Sequence, residues 1–293
     1  MRENAPSFTA AIVAAMRGLG AFLPERLRLV DDPYGLRFAG RLRGLRERRA
    51  LQRGLRLTSR GWMQGRLRSF VVYMQLRTRV IDDDVAAFVA SGGRQLVLLG
   101  AGFDSRAWRL GALAGVAVFE VDHPATQAKK RAVMQGDPPA GNVAFIPWDF
   151  ERDPLDRLDA RLGLDGHDAR APTMTILEGV LPYLTEEAAA STFRSIARYS
   201  APGSPVAFTY TDRALIEARA KSNERRFLRF LGEPFRFGFD PGSLPLWLQD
   251  HAFTLERDES VPAVSTRLLG ADLTRLTEAD RAGRHFALAR TNR

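Results

Sequence analysis

From Gln95 onward the chain repeats one pattern, a short and almost wholly apolar run followed by a stretch with helical spacing. The runs are Gln95 to Leu99, Val116 to Val121, Val143 to Ile146, Met174 to Leu177 and Val206 to Tyr210, then Phe253 to Arg257 and His285 to Ala289. A strand that is apolar on successive residues is buried on both faces, and strands separated by helices pair in parallel through crossovers. The pattern therefore predicts an α/β protein with a mostly parallel seven-stranded sheet and helices on both faces. The last two runs lie close enough in sequence to be antiparallel neighbours at one edge.

The part before Gln95 has no such runs. Helical-looking segments alternate with breakers: Phe8 to Leu19, a break at Pro24, a turn at Asp31-Asp32-Pro33, and a long stretch from about Ser59 to Ala90. Between Asp212 and Asp250 the chain is too long for a simple crossover. Gly232, Pro234, Gly238, Pro241 and Gly242 there predict a helical insertion followed by a turn-rich loop, of the kind that covers a site.

Charge is distributed unevenly. Of the net +9, the whole excess lies in residues 1–94, where 18 Arg face 8 acidic residues. Ten arginines between Arg41 and Arg68 face the single acid Glu47, a density suited to an anionic substrate, a nucleic acid or an anionic membrane surface, or to no more than a solvated face. No apolar stretch reaches the roughly 20 residues needed to cross a bilayer, and the nearest, Phe8 to Leu23, is interrupted by Arg17. With no cysteine, the chain has no disulfide, zinc thiolate, iron–sulfur cluster or cysteine nucleophile, and the expected location is the cytoplasm.

The chemistry gathers where the runs end. The first passes into Gly100-Ala101-Gly102 and then a helix expected to begin at Asp104 or Ser105, so two glycines let the backbone turn and approach a ligand. Ser105 stands where a dinucleotide fingerprint has its third glycine. About 20 residues on, the second run ends at Asp122, where a carboxylate can accept from both hydroxyls of a ribose, or cap the helix that begins near Pro124. The third leads into Asp149 and Phe150, an acceptor beside an apolar ring, as an adenine requires. The fourth leads to Glu178, five residues before Tyr183, at the edge where open α/β sheets bind ligands.

These segments resemble a known family. LVLLGAGFDSRAWRL, VFEVDHPATQAKKRAV, FIPWDFERDPL and ILEGVLPYLTEEAA, in that order and spacing, are similar to the leucine carboxyl methyltransferase family, especially its bacterial S-adenosylmethionine-dependent O-methyltransferase branch. The likeness reaches upstream to Arg77-Thr78-Arg79 before Asp82-Asp83, and downstream to Gly232-Glu233-Pro234-Phe235 and Phe237 to Pro241. It implies a class I methyltransferase core of residues 77–293, Rossmann-like, under an N-terminal helical cap of residues 1–76, with a lid insertion of about 212–250 after the fifth strand. Carried over by position, Arg77 pairs with the methionine carboxylate of S-adenosylmethionine and Gly100, Ala101 and Gly102 pass beneath its methionine and ribose. Asp122 holds the ribose hydroxyls, Asp149 and Phe150 meet the adenine, and Glu178 lies near the amino group. Glu178 and Tyr183 are then the residues expected nearest the reacting atoms. The product is S-adenosylhomocysteine.

The acceptor implied is a small molecule, and the ionisation of its oxygen decides whether a base is needed. A carboxylate is already ionised at neutral pH and needs no base, and it matches the arginine-rich N-terminal part; it is the favoured acceptor, anionic and small. A hydroxyl would need a base, for which the chain offers His123, His167, His251, His285 and carboxylates. His123 is expected to be structural, and Tyr183 is the candidate hydroxyl on the acceptor side. Two other readings use the same turn: a relative that modifies RNA, and a nicotinamide-dependent oxidoreductase, although no dyad for hydride transfer is recognisable. Nothing in the sequence demands a metal, a membrane or a particular oligomeric state. Gly40 to Met63 and Arg213 to Arg229 have little of the family pattern and are expected to form the part that selects the acceptor.

Overall fold

A computed structural model describes residues 6–39, 62–220, 235–273 and 282–292. Most of the arginine-rich stretch and the centre of the insertion, with Gly232, Glu233 and Pro234, lie outside the described residues.

Seven strands form one sheet: β1 Gln95–Leu99, β2 Ala117–Asp122, β3 Asn142–Pro147, β4 Thr173–Leu177, β5 Pro205–Thr211, β6 Phe253–Ser260 and β7 Arg284–Thr291, in the order β3-β2-β1-β4-β5-β7-β6. The first five pair in parallel, so β1 has β2 on one side and β4 on the other, and the order reverses there. Strand β7 runs antiparallel to both β5 and β6. The expected antiparallel pair is present, with β7 threaded inside it and β6 at the edge. Burial follows this order: every residue of β1, β4 and β5 is buried, whereas in β6 only Phe253 is fully so.

Helices cover both faces. Val97, Leu99, Phe119, Val121 and Phe208 pack against Ala189, Phe193 and Ile196 of Glu186–Tyr199. Leu96, Leu98, Val118, Met174 and Ile176 point the other way, against Ile81, Val85 and Phe88 of Trp62–Ala90. Labelled in chain order, the helices are α1 Phe8–Gly18, α2 Trp62–Ala90, α3 Arg106–Arg109, α4 Pro124–Met134, α5 Leu158–Leu164, α6 Glu186–Tyr199, α7 Arg213–Ala220, α8 Leu244–Asp250 and α9 Val261–Leu269. Residues 76 and 77, the expected division between cap and core, fall inside the unbroken α2.

The start signals are local. Ser7 Oγ accepts from Ala10 N–H at the head of α1, Thr185 Oγ1 accepts from Ala188 N–H at α6, and Pro124 opens α4. The helix expected after the glycine turn is only the single turn α3: Leu110 is already extended, and a short 3₁₀ segment, Gly111–Leu113, follows. Glycines at 111 and 115 leave too few helix-forming residues to propagate it.

Candidate active site

The carboxyl ends of β1, β2 and β4 meet at the point where the strand order reverses, the place at which a doubly wound sheet opens a crevice. Gly100 and Gly102 both have positive φ, 72° and 50°. A Cβ on Gly100 would stand 2.7 Å from Val180 Cγ2, and one on Gly102 3.2 Å from Ala10 of α1. The turn is therefore glycine for two reasons, backbone conformation and the elements pressed against it. It is also tied down. Gly100 N–H and Ala101 N–H both donate to Val121 O, at 2.9 and 3.2 Å, and Gly102 N–H donates to Asp122 Oδ2 at 2.6 Å.

Asp122 thus sits beside the turn, as expected from spacing. Its other oxygen, Oδ1, accepts from His123 N–H at 2.7 Å, which leaves further lone pairs on both oxygens. Burial raises its pKa, and these two backbone donors only partly offset that. It does not cap α4. His123 does, its Nδ1 accepting from Ala125 N–H at 3.2 Å. One strand over, Asp149 lies 3.9 Å from His123 Nε2, and its Oδ1 accepts from Glu151 N–H at 3.0 Å; Phe150 packs partly into the core.

Glu178, just beyond β4, faces Arg77 of α2. Arg77 Nε is 2.6 Å from Glu178 Oε1, and Arg106 Nη1 is 2.7 Å from Oε2, yet neither Glu178 oxygen receives an aligned hydrogen bond. The arginine expected to meet a carboxylate and the glutamate expected to meet an ammonium are a pair, both under 10% exposed. Burial opposes ionisation of Glu178, but Arg106, Arg77 and Arg17 outweigh it and hold the carboxyl well below the usual carboxylate range. Glu178 caps no helix, since Thr185 caps α6.

Sequence reasoning missed the ions behind this pair. Arg106 donates through Nε to Asp82 Oδ1 at 2.8 Å and also pairs with Asp104, while Arg109 forks onto Asp82 at 2.6 and 2.9 Å. Arg17, noted only as an interruption of an apolar stretch, donates to Asp32 Oδ2 at 2.8 Å and to Phe103 O at 2.6 Å, which fastens α1 to the glycine turn. A single charge on an otherwise apolar helix face was the available signal, because an arginine there is buried only with a partner.

Tyr183 ends a 3₁₀ turn, Leu181–Tyr183, after Glu178, with its ring 5.4 Å from that of Phe235. Of the four histidines, His167 (Nε2 to Thr173 Oγ1, 2.9 Å) and His251 (Nδ1 to Trp247 O, 2.7 Å) precede β4 and β6, at the opposite edge of the sheet. His285 stands on the site's edge between Asp258 and Asp212, 3.0 Å from the first through Nδ1 and 3.1 Å from the second through Nε2. Tyr210 OH donates to the same Asp258 at 2.5 Å.

The family model for leucine carboxyl methyltransferases matches residues 10–197, from α1 to near the end of α6. The chain belongs to the leucine carboxyl methyltransferase family. The family match takes in Arg77, the glycine turn, Asp122, Asp149 and Glu178, and leaves β5 to β7 outside. A Streptomyces coelicolor protein provisionally named as an S-adenosyl-L-methionine-dependent methyltransferase is 37% identical over 217 residues, 70% of this chain and 66% of its own length. A Mycobacterium protein of the same provisional name is 35% identical over 230 residues, covering 74% of this chain and 72% of that one. The chain thus spans a little under two thirds of the first relative. Among solved structures, a DUF574-family protein from Streptomyces avermitilis aligns over 99% of both chains with a TM-score of 0.62 at 16% identity. A Thermobifida fusca protein provisionally described as a methyltransferase covers 100% of this chain and 97% of its own at a TM-score of 0.59 and 18% identity. These likenesses establish the class I methyltransferase fold.

Proposed function

We propose that the chain is an S-adenosylmethionine-dependent O-methyltransferase whose acceptor is a small carboxylic acid. The observation that carries the cofactor is the Arg77–Glu178 pair. A buried cation and a buried anion side by side match the carboxylate and ammonium of a free amino acid, and the Glu178 oxygens have hydrogen-bonding capacity to spare. Asp122 has spare lone pairs for two ribose hydroxyls, and Asp149 and Phe150 supply an acceptor and a ring for adenine. The glycine turn suits this ligand better than a dinucleotide. A pyrophosphate needs free N–H groups at a helix N-terminus, whereas here those of Gly100, Ala101 and Gly102 are taken and α3 is one turn long. Homologues provisionally named for the same cofactor support the assignment.

That molecule supplies a methyl carbon on a positively charged sulfur, which an oxygen nucleophile takes in line as the carbon–sulfur bond breaks and its electrons stay on sulfur. The protein's part is to hold and orient. Arg77 and Glu178 fix the amino-acid end, Asp122 the ribose, and α1, fastened by Arg17, closes over the turn and excludes water. A carboxylate acceptor calls for no proton transfer. Tyr183, after Glu178, is the hydroxyl assigned to orient an acceptor oxygen in this reading.

Calorimetric titration with S-adenosylmethionine, S-adenosylhomocysteine, NADH and NADPH tests the cofactor. Binding of the sulfur nucleosides alone is expected, and binding of a nicotinamide instead overturns the assignment. Transfer of a labelled methyl group to a panel of acids, in preference to matched phenols, tests the acceptor; base-labile label identifies a methyl ester. Preferential label on phenols refutes the carboxylate reading. Label on transfer RNA, bound with steep salt dependence, refutes the small-molecule reading.

A further inference from the structure

Arg284 opens β7, paired in register with Thr211 at the carboxyl end of β5, on the site's edge of the sheet. Its guanidinium carbon lies 5.1 Å from the centre of the Tyr73 ring and 5.8 Å from that of Phe235. Tyr73 belongs to α2, where the Arg77 guanidinium also lies 5.8 Å from its ring. Phe235 in turn meets Tyr183 edge to face. Arg284 is thus held against two aromatic rings, one of which, Tyr73, also faces Arg77 of the Arg77–Glu178 pair.

Charge sets it apart from its neighbours. Arg17 has Asp32, Arg77 has Glu178, Arg106 has Asp82 and Asp104, and Arg109 has Asp82. Arg284 has no carboxylate within ion-pair distance among the described residues, and its Nε is buried with no acceptor. Ring faces attract a guanidinium but do not neutralise it, and a partly buried cation without a counter-ion is unfavourable unless a ligand supplies one.

We propose that Arg284 anchors the acceptor's carboxylate, and that the acceptor is a small acid with an aromatic or apolar body lying among Tyr73, Phe235 and Tyr183. The proposal rests on the reading of the acceptor as an acid. It adds a reason for product release. A guanidinium fork grips a carboxylate through two charge-assisted hydrogen bonds. Once one oxygen is bonded to the methyl carbon the negative charge is gone, and the ester is held by its apolar body alone.

The test uses the whole chain saturated with S-adenosylhomocysteine, titrated with benzoate, trans-cinnamate and octanoate and with the methyl ester of each. At least one acid should bind tenfold or more tightly than its own ester. Arg284→Gln should abolish that difference while leaving the ester's affinity and that for S-adenosylhomocysteine within twofold; Arg284→Lys should keep part of it. Equal binding of acid and ester, no binding of any of the three acids, or an acid preference that survives in Arg284→Gln overturns the proposal. Binding needs no turnover, so its failure is separable from that of the broader reading. If acids bind through Arg284 yet no methyl ester forms from S-adenosylmethionine, the anchor stands and the carboxyl-methylation reading falls.

Discussion

Replacing Glu178 by Gln removes one negative charge and little volume from the centre of the ion cluster. Arg106 keeps Asp82 and Asp104 as partners, but Arg77 is left buried with the Tyr73 ring 5.8 Å away and no other carboxylate partner among the described residues. Orphaning one member of a buried ion pair costs about 3–5 kcal/mol, and the lower figure applies because one of the two arginines remains paired. With an unfolding entropy of about 2.1 cal/mol/K per residue, a chain of this length should lose roughly 5 °C in Tm. Affinity for S-adenosylhomocysteine should fall at least tenfold, since the ammonium loses its charged acceptor. The pH dependence carries its own sign. The Glu178 carboxyl is depressed in the folded protein, so its stabilisation is present above the ordinary carboxylate pKa and is lost as pH falls below it. The Tm gap between wild type and Glu178→Gln should accordingly be full at pH 7 and narrow in acid. Adding Arg77→Met should restore part of the stability, because an apolar side chain replaces the orphaned charge, and none of the binding. Scanning calorimetry from pH 2 to 8, with and without S-adenosylhomocysteine, reads both quantities. An unchanged Tm together with unchanged affinity in Glu178→Gln would refute the assignment.

Three further predictions follow from the same region. Asp122→Asn should weaken S-adenosylhomocysteine binding by about 1.5–3 kcal/mol through lost charge-assisted hydrogen bonds, measured by calorimetry, and unaltered affinity would exclude Asp122 as the ribose acceptor. Gly100→Ala should destabilise the fold by about 1–2 kcal/mol, and Val180→Ala should relieve only the 2.7 Å clash, because φ of 72° remains unfavourable for alanine; full rescue in the double variant would show that the left-handed backbone contributes nothing. Burial lifts the Glu120 carboxyl to about 7 against the attraction of Lys130, 2.6 Å away. Its contribution to stability is full below about 4.5 and disappears as pH rises through about 7, so the Tm of Glu120→Gln/Lys130→Met relative to wild type should climb between pH 5 and 8; parallel Tm curves would contradict this.

Much of the sheet was legible because buried parallel strands leave unbroken apolar runs, and each expected strand lies within two residues of the observed one except β6, which extends on to Ser260. β6 is an edge strand with a register shift between Leu255 and Arg257, so its second half carries charge and hides the strand signal. Gly100, Gly102 and Asp122 could be placed because they act within one strand–turn–strand unit. Arg77 needed the family resemblance, as helical spacing made it one more arginine. Arg17 with Phe103, 86 residues away, and Arg106 with Asp82, 24 away, become neighbours only through tertiary packing, and no local pattern encodes that. The short α3 also escaped notice, since a glycine turn at a strand end ordinarily opens a full crossover helix.

Helix α2 runs without a break from Trp62 to Ala90, carrying Tyr73 and Arg77 in its middle and Ile81, Val85 and Phe88 where it lies on β1 and β4. A rod shared in this way cannot tilt at one end alone: moving Arg77 would drive Ile81 and Val85 into a close-packed interior. The Arg77 end of the site is therefore a fixed socket, built into the scaffold.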